Sequence, residues 1–150
     1  MAEVASFLKR LDVFNGLADE DLAKVAQLCM PVEYQAGELI LSIGEAAGRF
    51  YLVRQGTIEI TTQPDARTAR EPSGEGVRLT LGHGQMFGEM GLVDRGSRSA
   101  TARALSDVAL YVVDYDAFLA LCEQLPILGY RVMRNIAADL SFKLRQRNLM

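Results

Sequence analysis

From Tyr34 to Val113 the chain is a series of short apolar runs cut at close intervals by glycine: GELILSIG (37–44), RFYLVRQGTIEITT (49–62), VRLTLGHG (77–84) and RSATARALSDVALYVV (98–113). Runs of this length, alternating or fully apolar and bounded by turn residues, read as strands. No helical pattern separates one run from the next, so parallel βαβ units are excluded and an antiparallel all-β roll or barrel remains. Gly37, Gly44, Gly56 and Gly82 mark its corners. The segment TQPDARTAREPSGEG (62–76) holds two prolines and no apolar stripe, and reads as a long hairpin loop.

The flanks have a different period. Between Ala5 and Met30, Phe7, Leu8, Leu11, Phe14, Leu17, Leu22, Val25 and Leu28 recur at helical spacing, interrupted at Asn15-Gly16, which predicts two short helices joined by a turn. Asp19, Glu20 and Asp21 fall at the start of the second, where carboxylates suit the positive end of the helix dipole. After Asp114 a short helix (Tyr115 to Glu123) and a longer one (Ile127 to about Arg147) are separated by Pro126. On the longer helix Met133, Ile136, Leu140 and Leu144 approximate a three-four repeat, a seam that needs cover from the roll, from a second copy, or from both. At 150 residues the expectation is a single domain: a helical part (1–33), a β-roll (34–113) and C-terminal helices (114–150).

Charge and composition exclude several function classes. A net charge of −3 provides no basic field for nucleic acid within this segment. The longest apolar run, VALYVV, is too short to span a bilayer, and the N-terminus lacks the apolar core of a signal peptide. Cys29 and Cys122 are far apart with no paired spacing, so they read as buried thiols in a reducing, cytoplasmic compartment. His83, the one histidine, sits between two glycines and reads as an exposed turn residue. A single histidine supplies neither a metal site nor a catalytic base pair, so the chain reads as a non-enzyme without a catalytic cofactor. Gly82-His83-Gly84 is followed by its next glycine one position too late for a dinucleotide fingerprint.

One stretch carries chemistry: MFGEMGLVDRGSRSATARA (86–104). Gly88 opens GEMGLV, long enough for a single helical turn whose backbone N–H groups suit an anion. Arg98 follows as the side chain best able to grip phosphate with two parallel hydrogen bonds, and Ser99 adds a hydroxyl. A second anion in that pocket would repel phosphate, so Glu89 points instead to a ligand hydroxyl, such as that of a ribose. Taken singly, Gly88 is a turn glycine and Glu89 and Arg98 are surface charges; together they predict a nucleotide sugar-phosphate. Met86, Met90 and Met133 read as core filler.

FGEMGL followed by RSATA resembles the phosphate-binding cassette of the cyclic nucleotide-binding domain family, shared by the catabolite activator protein, protein kinase A regulatory subunits and cyclic-nucleotide-gated channels. The flanking GELILSIGE and FYLVRQGTIEI resemble its β-roll strands. The resemblance implies a mainly β fold with flanking helices: an antiparallel β-roll of the jelly-roll, or double-stranded β-helix, kind. N-terminal helices, a short cassette helix and C-terminal B and C helices complete it. It implies that Phe87, Gly88, Glu89, Met90, Gly91, Leu92, Arg98, Ser99 and Ala100 form the ligand site, with Arg98 and Ser99 on the cyclic phosphate and Glu89 on the ribose 2′-hydroxyl. Ile60 and Leu81 would line the base, and Lys143 and Leu144 would lie where the C helix reaches over it. Serine at position 99, rather than threonine, favours cAMP over cGMP.

Under this resemblance ligand phosphate draws the cassette inward, a hinge near Leu125-Pro126 responds, and the long helix moves as a lid. The chain would then be a cyclic-nucleotide sensor, with a homodimer through its last helix as a further expectation and the sensor half of a transcription regulator as an alternative setting. The competing reading is a dimerising interaction module on the same roll that binds no nucleotide. A stand-alone sensor and a fragment of a longer protein are both open.

Overall fold

The computed structural model describes residues 2–62 and 78–146. Among these, five α-helices, a 3₁₀ turn and eight strands are formed. The chain divides into two compact units, one of residues 1–29 with 116–150 and one of residues 30–115.

The second unit is the roll. Its strands are β1 (Met30–Tyr34), β2 (Leu39–Leu41), β3 (Arg49–Gln55), β4 (Ile58–Thr61), β5 (Arg78–Leu81), β6 (Met86–Phe87), β7 (Thr101–Ala104) and β8 (Val108–Asp114). They form two antiparallel four-stranded sheets, in the orders β1-β8-β3-β6 and β2-β7-β4-β5. The expected antiparallel β-roll is therefore the fold. In central strands β3 and β8, Phe50–Val53 and Leu110–Val113 are apolar and buried at successive positions, so both faces of these stretches are covered. Tyr51, Val53, Leu110 and Val112 join Leu41, Ile58, Leu81, Phe87, Ala102, Ala104 and Val108 in one interior cluster, with Ile60 packed against it.

Strand β1 begins four residues before the expected onset at Tyr34: in MPVEY, Met30, Val32 and Tyr34 alternate with Pro31 and Glu33, but this mainly exposed strand, paired with β8, is too short to separate from the helical run before it. Two-residue β6 carries no periodicity to detect, yet it pairs with β3 and starts the cassette. The corner expected at Gly82 is formed: the Gln85 N–H closes a turn on the Gly82 carbonyl at 3.2 Å, and within it Gly84 takes φ +85° and donates its N–H to the Val53 carbonyl at 2.8 Å. The loop expected over 62–76 lies, apart from Thr62, outside the described residues.

The helical unit comprises α1 (Ala2–Lys9), the 3₁₀ turn (Asp12–Phe14), α2 (Asp19–Ala26), α4 (Tyr115–Gln124, from its second residue) and α5 (Pro126–Gln146). The three carboxylates expected at a helix start open α2, whose N-cap position, Ala18, makes no side-chain cap. Phe14 of the 3₁₀ turn meets Phe118 edge-on at 6.5 Å. Arg131 and Asn135 of α5 donate to the carbonyls of Gly16, Val13 and Asn15, groups that a short turn cannot satisfy by itself. The buried row of α5 is accordingly Leu128, Val132 and Ile136. The seam expected from Met133 to Leu144 is shared differently: Ile136 is buried, Met133 and Leu140 are half-buried, and Leu144 is exposed.

Cys29 is buried and Cys122 half-buried, and both are free thiols. The Cys29 thiol lies 3.5 Å from the Val25 carbonyl, and burial pushes its pKa up to about 12. His83 is exposed, as its turn setting predicts. No helix among the described residues is long and apolar enough to cross a membrane.

Candidate functional site

The cassette lies between β6 and β7 of the roll. Phe87 ends β6 and stacks on Tyr51 of β3, centroids 4.8 Å apart and 9° from parallel. Gly88 then turns the chain with φ +80°, and a Cβ there would stand 2.9 Å from Arg98 Nη1 and 3.3 Å from the Arg49 carbonyl. Glycine is needed twice over, for its backbone angle and for that close approach.

Glu89 stands at the N-cap of α3 (Met90–Asp94), one position later than a helix opened by Gly88. Gly91 and Leu92 are buried within α3. A Cβ on Gly91 would lie 2.7 Å from Ala47 Cβ and 2.8 Å from the Tyr115 hydroxyl. Arg95 ends the helix in the left-handed region at φ 59°.

Arg98 returns the chain to the cassette. Its own backbone precedes β7 and is held by an N–H to the Glu45 carbonyl at 2.7 Å, beside the Ala46–Ser97 bridge. The two charges selected from the sequence are the two buried charged residues among those described, Glu89 at 8% and Arg98 at 9% exposure. Burying a charge is costly unless it is compensated. Arg98 Nη1 donates to the Gly88 carbonyl and to the Tyr115 hydroxyl, both at 3.1 Å, and Nη2 donates to the Arg49 carbonyl at 2.8 Å. A guanidinium has five N–H bonds, so Nε–H and one Nη2–H make no hydrogen bond to the described residues.

Ser99 is exposed, and its hydroxyl lies 3.8 Å from Met90 Sδ. Met90 itself is 52% exposed, which corrects its reading as core filler: α3 is so short that its first residue has no neighbouring layer to pack under. Met86 and Met133 are half-buried. Ala100 is half-buried and leads into β7, where the Thr101 hydroxyl accepts the Ile43 N–H at 3.0 Å. Ile60 and Leu81 belong to the interior of the roll, opposite Leu79 and Ile58 respectively in the β4–β5 ladder. Lys143 and Leu144 fall near the end of α5, in the helical unit.

The sequence pattern missed Tyr115 and Tyr51. Tyr115 is fully buried, its hydroxyl donates to the Gly88 carbonyl, and burial raises its pKa against the opposing effect of Arg98. Tyr51 is raised by burial as well, with nearby Arg49 and Arg98 pulling the other way. Neither lies in the cassette stretch, and only strand pairing brings them to it. Among the described residues no group of three or more His, Cys, Asp or Glu could hold a metal.

A glycine-cornered antiparallel roll with a buried Glu–Arg pair across a short helix defines a class. The family model for the cyclic nucleotide-binding domain matches residues 31–125, and the chain belongs to that family. A cyclic AMP receptor protein of Thermus thermophilus is 33% identical over 144 residues, covering 95% of this chain and 61% of that protein. A candidate potassium channel protein of Rhodopseudomonas palustris is 31% identical over 127 residues, covering 85% of this chain and 29% of that protein. The crystal structure of the Thermus thermophilus catabolite activator protein superposes with a TM-score of 0.76 at 32% identity, over 92% of this chain and 60% of that one. The chain thus spans less than two thirds of the length of these relatives.

Proposed function

We propose that this chain is a cyclic-nucleotide sensor that takes cAMP in preference to cGMP and converts its binding into movement of the C-terminal helix. The observation that carries the reading is Arg98: a buried guanidinium, anchored on three sides, that keeps two N–H bonds for an anion. Phosphate suits two convergent donors. In this reading Arg98, Ser99 and Ala100, with the turn from Phe87 to Leu92, receive the cyclic phosphate. Glu89 accepts the ribose 2′-hydroxyl, and Ile60 and Leu81 meet the base. Lys143 and Leu144 are the lid positions.

Serine at position 99 and the similarity to a cyclic AMP receptor protein support cAMP. Movement requires that the ligand bind one conformation better than another, and only its differential contacts can shift that balance. The test is a paired calorimetric titration with cAMP and cGMP. The expected result is about one cAMP per chain and a raised melting temperature, with cGMP weaker; binding of neither at millimolar concentration overturns the reading.

A second reading concerns the setting. Similarity to a CRP-like cAMP-activated global transcriptional regulator of Mycobacterium tuberculosis, 26% identical and covered over 57% of its length, supports a place as the sensor part of a longer transcription regulator. The exposed apolar residues Ile127, Tyr130, Phe142 and Leu144 of α5 support a homodimer through that helix. Light scattering with and without cAMP tests the dimer; a monomer under both conditions refutes it.

A further inference from the structure

Tyr115 occupies a position that neither packing nor ligand contact explains by itself. Its ring is fully buried and lies near-parallel to Phe50, centroids 6.4 Å apart. Its backbone N–H donates to the Gly48 carbonyl at 2.9 Å. Its hydroxyl does two jobs, donating to the Gly88 carbonyl and accepting Arg98 Nη1. The same hydroxyl stands where a side chain on Gly91 would have to be. One side chain thus touches the turn before α3, the first turn of α3 and the arginine beyond it, while its own backbone starts α4.

A phenylalanine would fill this space equally well, so the hydroxyl needs its own account. A long, flexible arginine loses much rotamer freedom when it binds an anion, and affinity rises when that freedom is removed beforehand. Three anchors hold the guanidinium, and two of them are backbone carbonyls that any residue would supply. The third, at Tyr115, is the one that depends on a side chain.

We propose that Tyr115 is the positioning residue of the phosphate-binding arginine: its hydroxyl, held by the Gly88 carbonyl, fixes the Nη1 end of Arg98 and so aims the remaining N–H bonds at the ligand. It links that arginine through one side chain to the first residue of α4. This rests on the reading that Arg98 takes a cyclic phosphate.

The test is a double-mutant cycle on the full chain, with cAMP affinity measured by calorimetry for wild type, Tyr115→Phe, Arg98→Lys and the double variant. Tyr115→Phe keeps the ring, so its melting temperature should stay within about 5 °C of wild type. Its affinity should fall about tenfold, the lower end for a lost hydrogen bond to a charged group, because two anchors remain. In the Arg98→Lys background, where no guanidinium is left to aim, the same change should cost less than about twofold. A purely structural tyrosine would give the same loss in both backgrounds.

Wild-type binding with Tyr115→Phe unchanged, or with fully additive losses, overturns this proposal and leaves the functional reading standing. A wild-type chain that binds no cAMP overturns both.

Discussion

Replacing Arg98 by alanine separates the affinity that the cassette supplies from the stability that it supplies. In the folded chain the guanidinium is 9% exposed and makes three hydrogen bonds. Its removal leaves the Gly88 carbonyl still paired with the Tyr115 hydroxyl, but strips Nη2 from the Arg49 carbonyl. That part-buried acceptor without its partner costs about 1 kcal/mol of stability, measurable by urea unfolding. The affinity cost is larger, because a phosphate brought into a site without its charge partner loses about 2–5 kcal/mol. That corresponds to a Kd for cAMP about thirtyfold to several thousandfold weaker.

Calorimetry well below the melting temperature reads this loss without interference from unfolding. Arg98→Lys should fall between wild type and alanine, since an ammonium keeps the charge and loses the planar fork. A folded Arg98→Ala chain that binds cAMP within about threefold of wild type would refute the reasoning, since no phosphate partner could then reside at that position.

Gly88→Ala should lower stability by about 1–2 kcal/mol, because alanine at φ +80° is strained and its Cβ presses on Arg98 Nη1; cAMP affinity should fall with it, and unchanged calorimetry would argue against the close approach. Ala18→Ser should stabilise α2 by about 1 kcal/mol, raising the melting temperature by about 2–4 °C, since Ala18 already has the extended backbone of an N-cap and lacks only the hydroxyl. Burial of Cys29 makes the folded chain hold a thiol proton up to about pH 12. The unfolded chain releases that proton near pH 8.5, so this contribution is complete below that pH and is lost as pH rises towards the folded value. Between pH 8 and 10 wild type should lose about 2 kcal/mol more than Cys29→Ala in urea unfolding, and equal losses would contradict the burial argument.

The roll was legible because its strands are short and its turns are punctuated. Leu39–Leu41, Arg49–Gln55, Ile58–Thr61, Arg78–Leu81 and Thr101–Ala104 each fall inside a run read as strand from local pattern, and Val108–Asp114 overruns its run by one residue, Asp114. Met86–Phe87 and Met30–Tyr34 escaped that pattern, one because two residues have no period, the other because its alternation spans only five residues and adjoins a run of helical spacing. On α5 the spacing correctly indicated a helix but not which row is buried. Arg131 and Asn135 decide that by satisfying carbonyls more than a hundred residues away in sequence, at Val13, Asn15 and Gly16.

The site divides along the same line. Gly88, Glu89 and Arg98 stand within eleven residues of one another, and their chemistry is readable from residue type because a cation and an acceptor at that spacing answer to a sugar-phosphate. What surrounds Arg98 is not local: the Arg49 carbonyl comes from β3 and the Tyr115 hydroxyl from the first residue of α4, 49 and 17 residues away. Sequence by itself determined the antiparallel roll, the helical flanks and the identity of the two charges. Tertiary structure decided that both charges are buried, which way the guanidinium is held, and that a tyrosine outside the motif holds it. Hydrophobic period and turn chemistry act over a few residues, whereas the partner of a buried charge is set by whichever strand the sheet places beside it.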